Sequence, residues 1–232
     1  MFAQYQLLHQ IRKKTTINNL STLSGGFDAD HLREWAMLTN FGSNDIDSIT
    51  GQEIRKRKRQ IPEDENKLPY VDLFSTKISS ECSKYISNQH SPTDVLGRAF
   101  FGCNSFRAEK MLLNTMNTLF SLYPTNATTL PSVFNMRDQY LSWKVTSLAP
   151  SEIILSYNIE SLRFRGATML AYDPSLRKVY HGNCIDVTNE RMKGFIPELA
   201  IQMHVKYAES LLHGMVEELE NLAIAEEVKQ KV

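Results

Sequence analysis

The spacing of apolar residues changes partway along the chain. Up to about residue 122 it is helical; from 137 it alternates. Phe2, Tyr5, Leu8 and Ile11 predict a short amphipathic helix over 2–13. Ser24-Gly25-Gly26 breaks the chain, and Asp28 or Asp30 can cap a helix carrying Leu32, Trp35, Ala36 and Leu38. Ser43 or Asn44 opens another, through Ile46 and Ile49 into Ile54. Val71, Phe74, Ile78, Cys82 and Tyr85 fall at i+3 and i+4 steps, which predicts a packed helix from Tyr70 to Ile86. Ser91-Pro92-Thr93-Asp94 is a helix start, with serine as cap and proline at the first helical position. Ser105 opens a further helix with Phe106, Met111, Leu112, Met116, Leu119 and Phe120, ending before Pro124.

Residues 137–164 read as two amphipathic strands folded about Ala149-Pro150-Ser151. Leu141, Trp143 and Val145 alternate with Ser142, Lys144 and Thr146; Ile153, Leu155, Tyr157 and Ile159 alternate with Ile154, Ser156, Asn158 and Glu160. A period of two puts one set on a buried face. Ile154, on the otherwise polar face, implies that this side too is partly covered, by the last helix or a second subunit. Gly166–Tyr172 and Lys178–His181 predict two more strands turning at Asp173-Pro174-Ser175, and Cys184–Val187 a fifth. One long helix over roughly 195–228 closes the chain, with Ile201, His204, Val205, Ala208, Leu211, Leu212, Met215, Leu219 and Leu222 on its stripe. Helices, then antiparallel strands, then a helix is the order of an α+β protein. The expected architecture is a helical N-terminal region (1–60), a linker (61–68) and an α+β domain (69–232) holding an antiparallel sheet of three to five strands and the long C-terminal helix.

Charge and cysteine use narrow the setting. The 26 basic and 26 acidic side chains balance, so no bulk field draws the protein to nucleic acid or an anionic membrane. Cys82, Cys103 and Cys184 are too few and too scattered for a disulfide framework, which fits reduced thiols in a cytoplasmic protein. The N-terminal segment lacks the pattern of a signal peptide, and no apolar run reaches the ~20 residues of a membrane span.

Candidate chemistry is sparse. His181 and Cys184 form an H-x-x-C pair that could ligate zinc or haem iron, but only with ligands recruited from elsewhere, such as His204 or His213. Cys103 or Cys184 could serve as a nucleophile, but no strand-to-helix elbow exposes either. No glycine-rich phosphate loop follows a strand, which removes the dinucleotide and P-loop classes and leaves the cofactor question open. Arg55, Lys56, Arg57, Lys58 and Arg59 end a basic helix over 43–59 that could contact phosphates as the reader of a helix-turn-helix. Phe101, Cys103, Phe106, Met116, Trp143 and Tyr157 offer the lining of an apolar ligand pocket. Along the last helix Ile201, Ala208, Met215 and Leu222 fit heptad d positions and Val205, Leu212 and Leu219 fit a, the seam of a homodimer.

Between about 69 and 170 the chain resembles the vinyl-reductase-like domain superfamily, which includes the 4-vinyl reductase domain, vesicle transport-particle subunits and an uncharacterised myxobacterial family. The resembling features are the helical pattern after Pro69-Tyr70, Leu96-Gly97-Arg98, a long helix, and the hairpin with Trp143 before Leu148-Ala149-Pro150. The resemblance implies an α+β fold, often dimeric, that binds small or fatty ligands or acts as a sensing or scaffold module. The cysteine-rich metal-binding pieces of some members are missing here, so no metal or lipid site carries over. The expectation is a non-catalytic ligand-binding or sensory module, dimeric and signalling to a protein partner. The alternatives are a DNA-binding regulator using residues 43–59 and an enzyme of unrecognised type.

Overall fold

A computed structural model describes Leu32 and residues 70–120, 125–159, 164–186 and 198–230. The helices expected over 2–13, 28–40 and 43–54, the basic run 55–59 and the linker 61–68 lie outside the described residues, apart from Leu32 itself. The order of elements is β1 (Tyr70–Lys77), α1 (Ser80–Asn88), α2 (Pro92–Gly102), α3 (Asn104–Phe120), a short 3₁₀ turn (Thr125–Thr128), β2 (Gln139–Tyr140), β3 (Trp143–Ala149), β4 (Glu152–Ile159), β5 (Phe164–Asp173), β6 (Lys178–Ile185) and α4 (Glu198–Gln230). The class is α+β, with six antiparallel strands where three to five were expected.

β1 and the two-residue β2 were not expected, and β1 corrects the helix expected from Tyr70 to Ile86. The burial of its residues YVDLFSTK alternates with period two over the first half, and it pairs along its whole length with β6, from Tyr70↔Ile185 to Lys77↔Lys178. The helical spacing is real only from Ser79 onward, where the serine hydroxyl accepts from Cys82 N at 3.0 Å and starts α1. The strand expected at 178–181 runs on through Cys184 to Ile185 as one continuous β6, and Val187 lies outside the described residues.

The sheet order is β1-β6-β5-β4-β3-β2. The chain enters at one edge, crosses through α1, α2 and α3 to the opposite edge, and meanders back until β6 lies beside β1. β3 and β4 turn at Pro150-Ser151, with Ala149 facing Glu152. The tight turn between β2 and β3 holds Leu141 at φ 54°, fully buried, its N–H bonded to the Ala127 carbonyl at 2.6 Å.

One sheet face carries Trp143, Val145, Ile153, Leu155, Tyr157, Leu170, Tyr172 and Val179. α2 packs on β4 and β5, while α4 packs on β1 and β6 and against α1, α2 and α3. Ala208, Leu211, Leu212, Met215, Leu219 and Ala223 of α4 are buried in this layer. Gly214 lets α4 pass close over the α2–α3 junction, since a Cβ there would sit 3.1 Å from Ser105 Oγ and 3.2 Å from Cys103 Sγ. The opposite face holds Ile154, Ala167, Met169 and Cys184 with Leu32 against them. Ile154 is thus covered as expected, but Leu32 packs there while α4 lies on the other face.

Glu220 fastens α4 to the start of α1. Its carboxylate accepts from Ser79 N at 2.9 Å and Ser79 Oγ at 2.6 Å, and the charge complements the N-terminal end of that helix. Glu220→Ala is expected to lower stability by about 2 kcal/mol in urea unfolding, as for loss of hydrogen bonds to a charged group. Exposed Glu217→Ala should stay within about 0.5 kcal/mol.

Candidate functional site

The face of the sheet beneath α4 is not uniformly apolar. Asp72 pairs with Asn183 across β1 and β6, and Asn183 with Thr168 across β6 and β5, so three polar side chains form a row over three adjacent strands. All three are buried. Desolvating a carboxylate is expensive unless its oxygens are occupied. Asp72 Oδ1 accepts from Asn183 Nδ2 at 3.0 Å and Asn183 N at 3.2 Å, and Oδ2 accepts the Tyr70 hydroxyl at 3.3 Å. Thr168 Oγ1 donates to Asn183 Oδ1 at 3.3 Å, fixing the amide so that its NH₂ points at the carboxylate.

α4 presents His204, Tyr207, Ala208 and Leu211 to this row, the i, i+3, i+4 and i+7 positions of one helix face. His204 Nε2 lies 3.0 Å from Asp72 Oδ2, an ion-pair distance, but the ring N–H is off the line a hydrogen bond needs. Tyr207 donates its hydroxyl to Glu109 Oε2 on α3. Burial pushes the Glu109 carboxyl above its ordinary range, against the lowering effects of the Tyr207 hydrogen bond and the nearby His204.

These groups line a cavity of about 280 Å³ between the sheet, α3 and α4. Phe100, Leu113, Ser142, Trp143, Tyr157 and Ile185 complete the wall. Trp143 and Tyr157 meet edge-to-face at 6.0 Å. The Tyr157 hydroxyl occupies the space over Gly166, where any Cβ would stand 2.3 Å from its oxygen. Trp143 Nε1 is buried and has no hydrogen-bond partner among the described residues.

Beside the cavity, His181 is fully buried against the Phe100 ring, their centroids 5.3 Å apart. Its Nδ1 lies 3.1 Å from the Ala208 carbonyl, which can only accept, so Nδ1 carries the proton and Nε2 the lone pair. Burial pulls the His181 pKa down to about 4.

Of the residues proposed from sequence as ligand-binding, Trp143 and Tyr157 line the cavity. Phe101 and Phe106 lie next to it in an aromatic cluster with Phe100, Tyr140 and Trp143. Cys103 is buried at the α2–α3 junction. Met116 is on α3, its side chain outside the described set. His181 and Cys184 cannot share an ion, because three residues along a strand place them on opposite faces: His181 toward α4, Cys184 beside Leu32. Among the described residues no group of three His, Cys, Asp or Glu is arranged to hold a metal. Burial raises both the Cys82 thiol, to about 12, and the Cys103 thiol, which keeps them protonated and weakly nucleophilic.

Asp72, Glu109, Thr168, Asn183 and Tyr207 were not singled out from sequence. Thr168 and Asn183 carry one usable signal: each is polar at a strand position whose period-two neighbours are core. Comparisons with protein-family models, with curated proteins and with solved structures find no match.

His181 generates a pH effect of definite sign. Its folded-state pKa of about 4 lies below the ordinary 6.5, so between those values the unfolded chain binds more protons and stability falls as pH falls. The His181 share is full above pH 6.5 and is lost at about 1.4 kcal/mol per pH unit through the window. Urea unfolding at pH 7 and pH 4.5 should show a smaller acid loss in His181→Phe than in the wild type.

Proposed function

We propose that this chain is a non-catalytic small-molecule-binding module whose ligand sits between the inner sheet face and α4. The observation that carries the reading is the cavity itself: about 280 Å³, walled by aromatic rings and floored by Thr168 and Asn183 of the polar row. That volume suits a ligand of one or two rings and lies just below the roughly 300–1,000 Å³ of known sites. A sensory role follows from the same geometry, because α4 touches the cavity with one face and α1, α2 and α3 with its others. A change in cavity occupancy bears directly on the seating of α4, where a protein partner would read it.

Homodimerisation along α4 is a separate part of the proposal. Ala208, Leu212, Met215 and Leu219 of the heptad seam pack within the chain's own core, so a second copy would meet the outward side, where Met203, Ile224 and Val228 are exposed. Light scattering should give twice the chain mass, falling to one chain in a variant with Ile224→Glu and Val228→Glu; a monomeric wild type removes the dimer. No helix among the described residues is long and apolar enough to cross a membrane.

Saturation-transfer NMR with neutral indole and 2-phenylethanol tests the pocket. The wild type should transfer to both. Ala208→Phe and Leu211→Phe, each checked for native circular dichroism, fill the cavity and should lose most of the transfer. No transfer from the wild type, or undiminished transfer in both filled variants, would overturn the reading.

A further inference from the structure

The cavity is one-sided in charge. Among the described residues lining it, Glu109 supplies a carboxylate and no lysine or arginine balances it. A second carboxylate, Asp72, stands directly behind Asn183. His204, which also lines the cavity, lies against Asp72 at 3.0 Å. Tyr207 occupies one oxygen of Glu109, while the other has no hydrogen bond among the described residues. Four aromatic rings, Phe100, Trp143, Tyr157 and Tyr207, stand around the same space. Ring faces carry negative quadrupole potential and attract cations most strongly where water is excluded.

We propose, resting on the pocket reading above, that the ligand is an organic amine: an ammonium against Glu109 and a ring or apolar frame between the aromatic walls. An anionic ligand would meet Glu109 and Asp72 as like charges. A neutral ligand would do nothing against the burial that disfavours the ionised form of Glu109, which the nearby His204 only partly offsets. An ammonium supplies that charge, and its N–H groups supply the donors that the open Glu109 oxygen lacks.

Three near-isosteric probes that share one phenol ring separate charge from shape: tyramine, tyrosol and 3-(4-hydroxyphenyl)propanoate. Isothermal titration on the full chain at neutral pH should give tyramine a Kd at least about ten-fold below that of tyrosol, the size expected of one charge-assisted contact, with the propanoate weakest. In Glu109→Gln, which keeps an acceptor for Tyr207, the tyramine-to-tyrosol preference should collapse while tyrosol binding persists. Tyrosol binding as tightly as tyramine in the wild type overturns the inference, as does a preference that survives Glu109→Gln. Binding of indole without binding of tyramine likewise removes the amine and leaves the pocket standing. Failure of every probe, indole included, removes both.

Discussion

Asp72 is a carboxylate on the inner face of a sheet, under a helix, and the arrangement around it answers the cost of burying it. The partners come from its own strand, from β6 and from α4. Asn183 on β6 supplies two donors, Tyr70 on β1 a third, and His204 on α4 stands 3.0 Å from the carboxylate. Thr168 on β5 orients the amide. Strand register and helix position therefore share one electrostatic requirement. A one-residue slip of β1 against β6 would turn Asp72 to the other face and leave Asn183 Nδ2 and His204 without the carboxylate. Breaking such a buried set by removing one partner is far costlier than replacing the whole of it.

The aromatic side of the cavity rests on a different physics. Phe100, Phe101, Phe106, Tyr140 and Trp143 interlock by edge-to-face and tilted contacts, which fixes ring positions beyond what area burial alone achieves. Trp143 and Phe100 belong both to this cluster and to the cavity wall, so the wall is held rigid by the core behind it. Among the described residues Trp143 Nε1 is buried without a hydrogen bond, a local cost to stability.

The α+β class was legible because the period changes from helical to alternating, and that change survives without tertiary information. The β3–β4 hairpin, the Ser91 cap of α2 and the stripe of α4 were legible for the same local reason. β1 was misread because Val71, Phe74 and Ile78 satisfy a helical spacing while Tyr70 to Thr76 also satisfy a strand. The deciding partner, β6, lies more than a hundred residues on. Trp143 and Tyr157 could be proposed for a pocket because aromatics on an inward strand face are visible in a pattern. Asp72 and Glu109 could not, since an acid in a presumed helix reads as solvated until something is shown to cover it. His204 was visible on the α4 stripe, but its meaning depended on Asp72.

The path of the chain across the sheet also sets an order of events. β2 to β6 follow one another in sequence and in space, so their pairing closes only short loops. β1 is made before all of them yet must wait for β6, the last to appear, before its ladder can form. Loop-closure entropy makes that seam a late step relative to the meander. Asp72 travels with β1, so the carboxylate stays in water until its partner strand exists. Thr168 and Asn183 face each other once β5 and β6 have paired, so the polar row is completed from its Asp72 end when β1 joins β6.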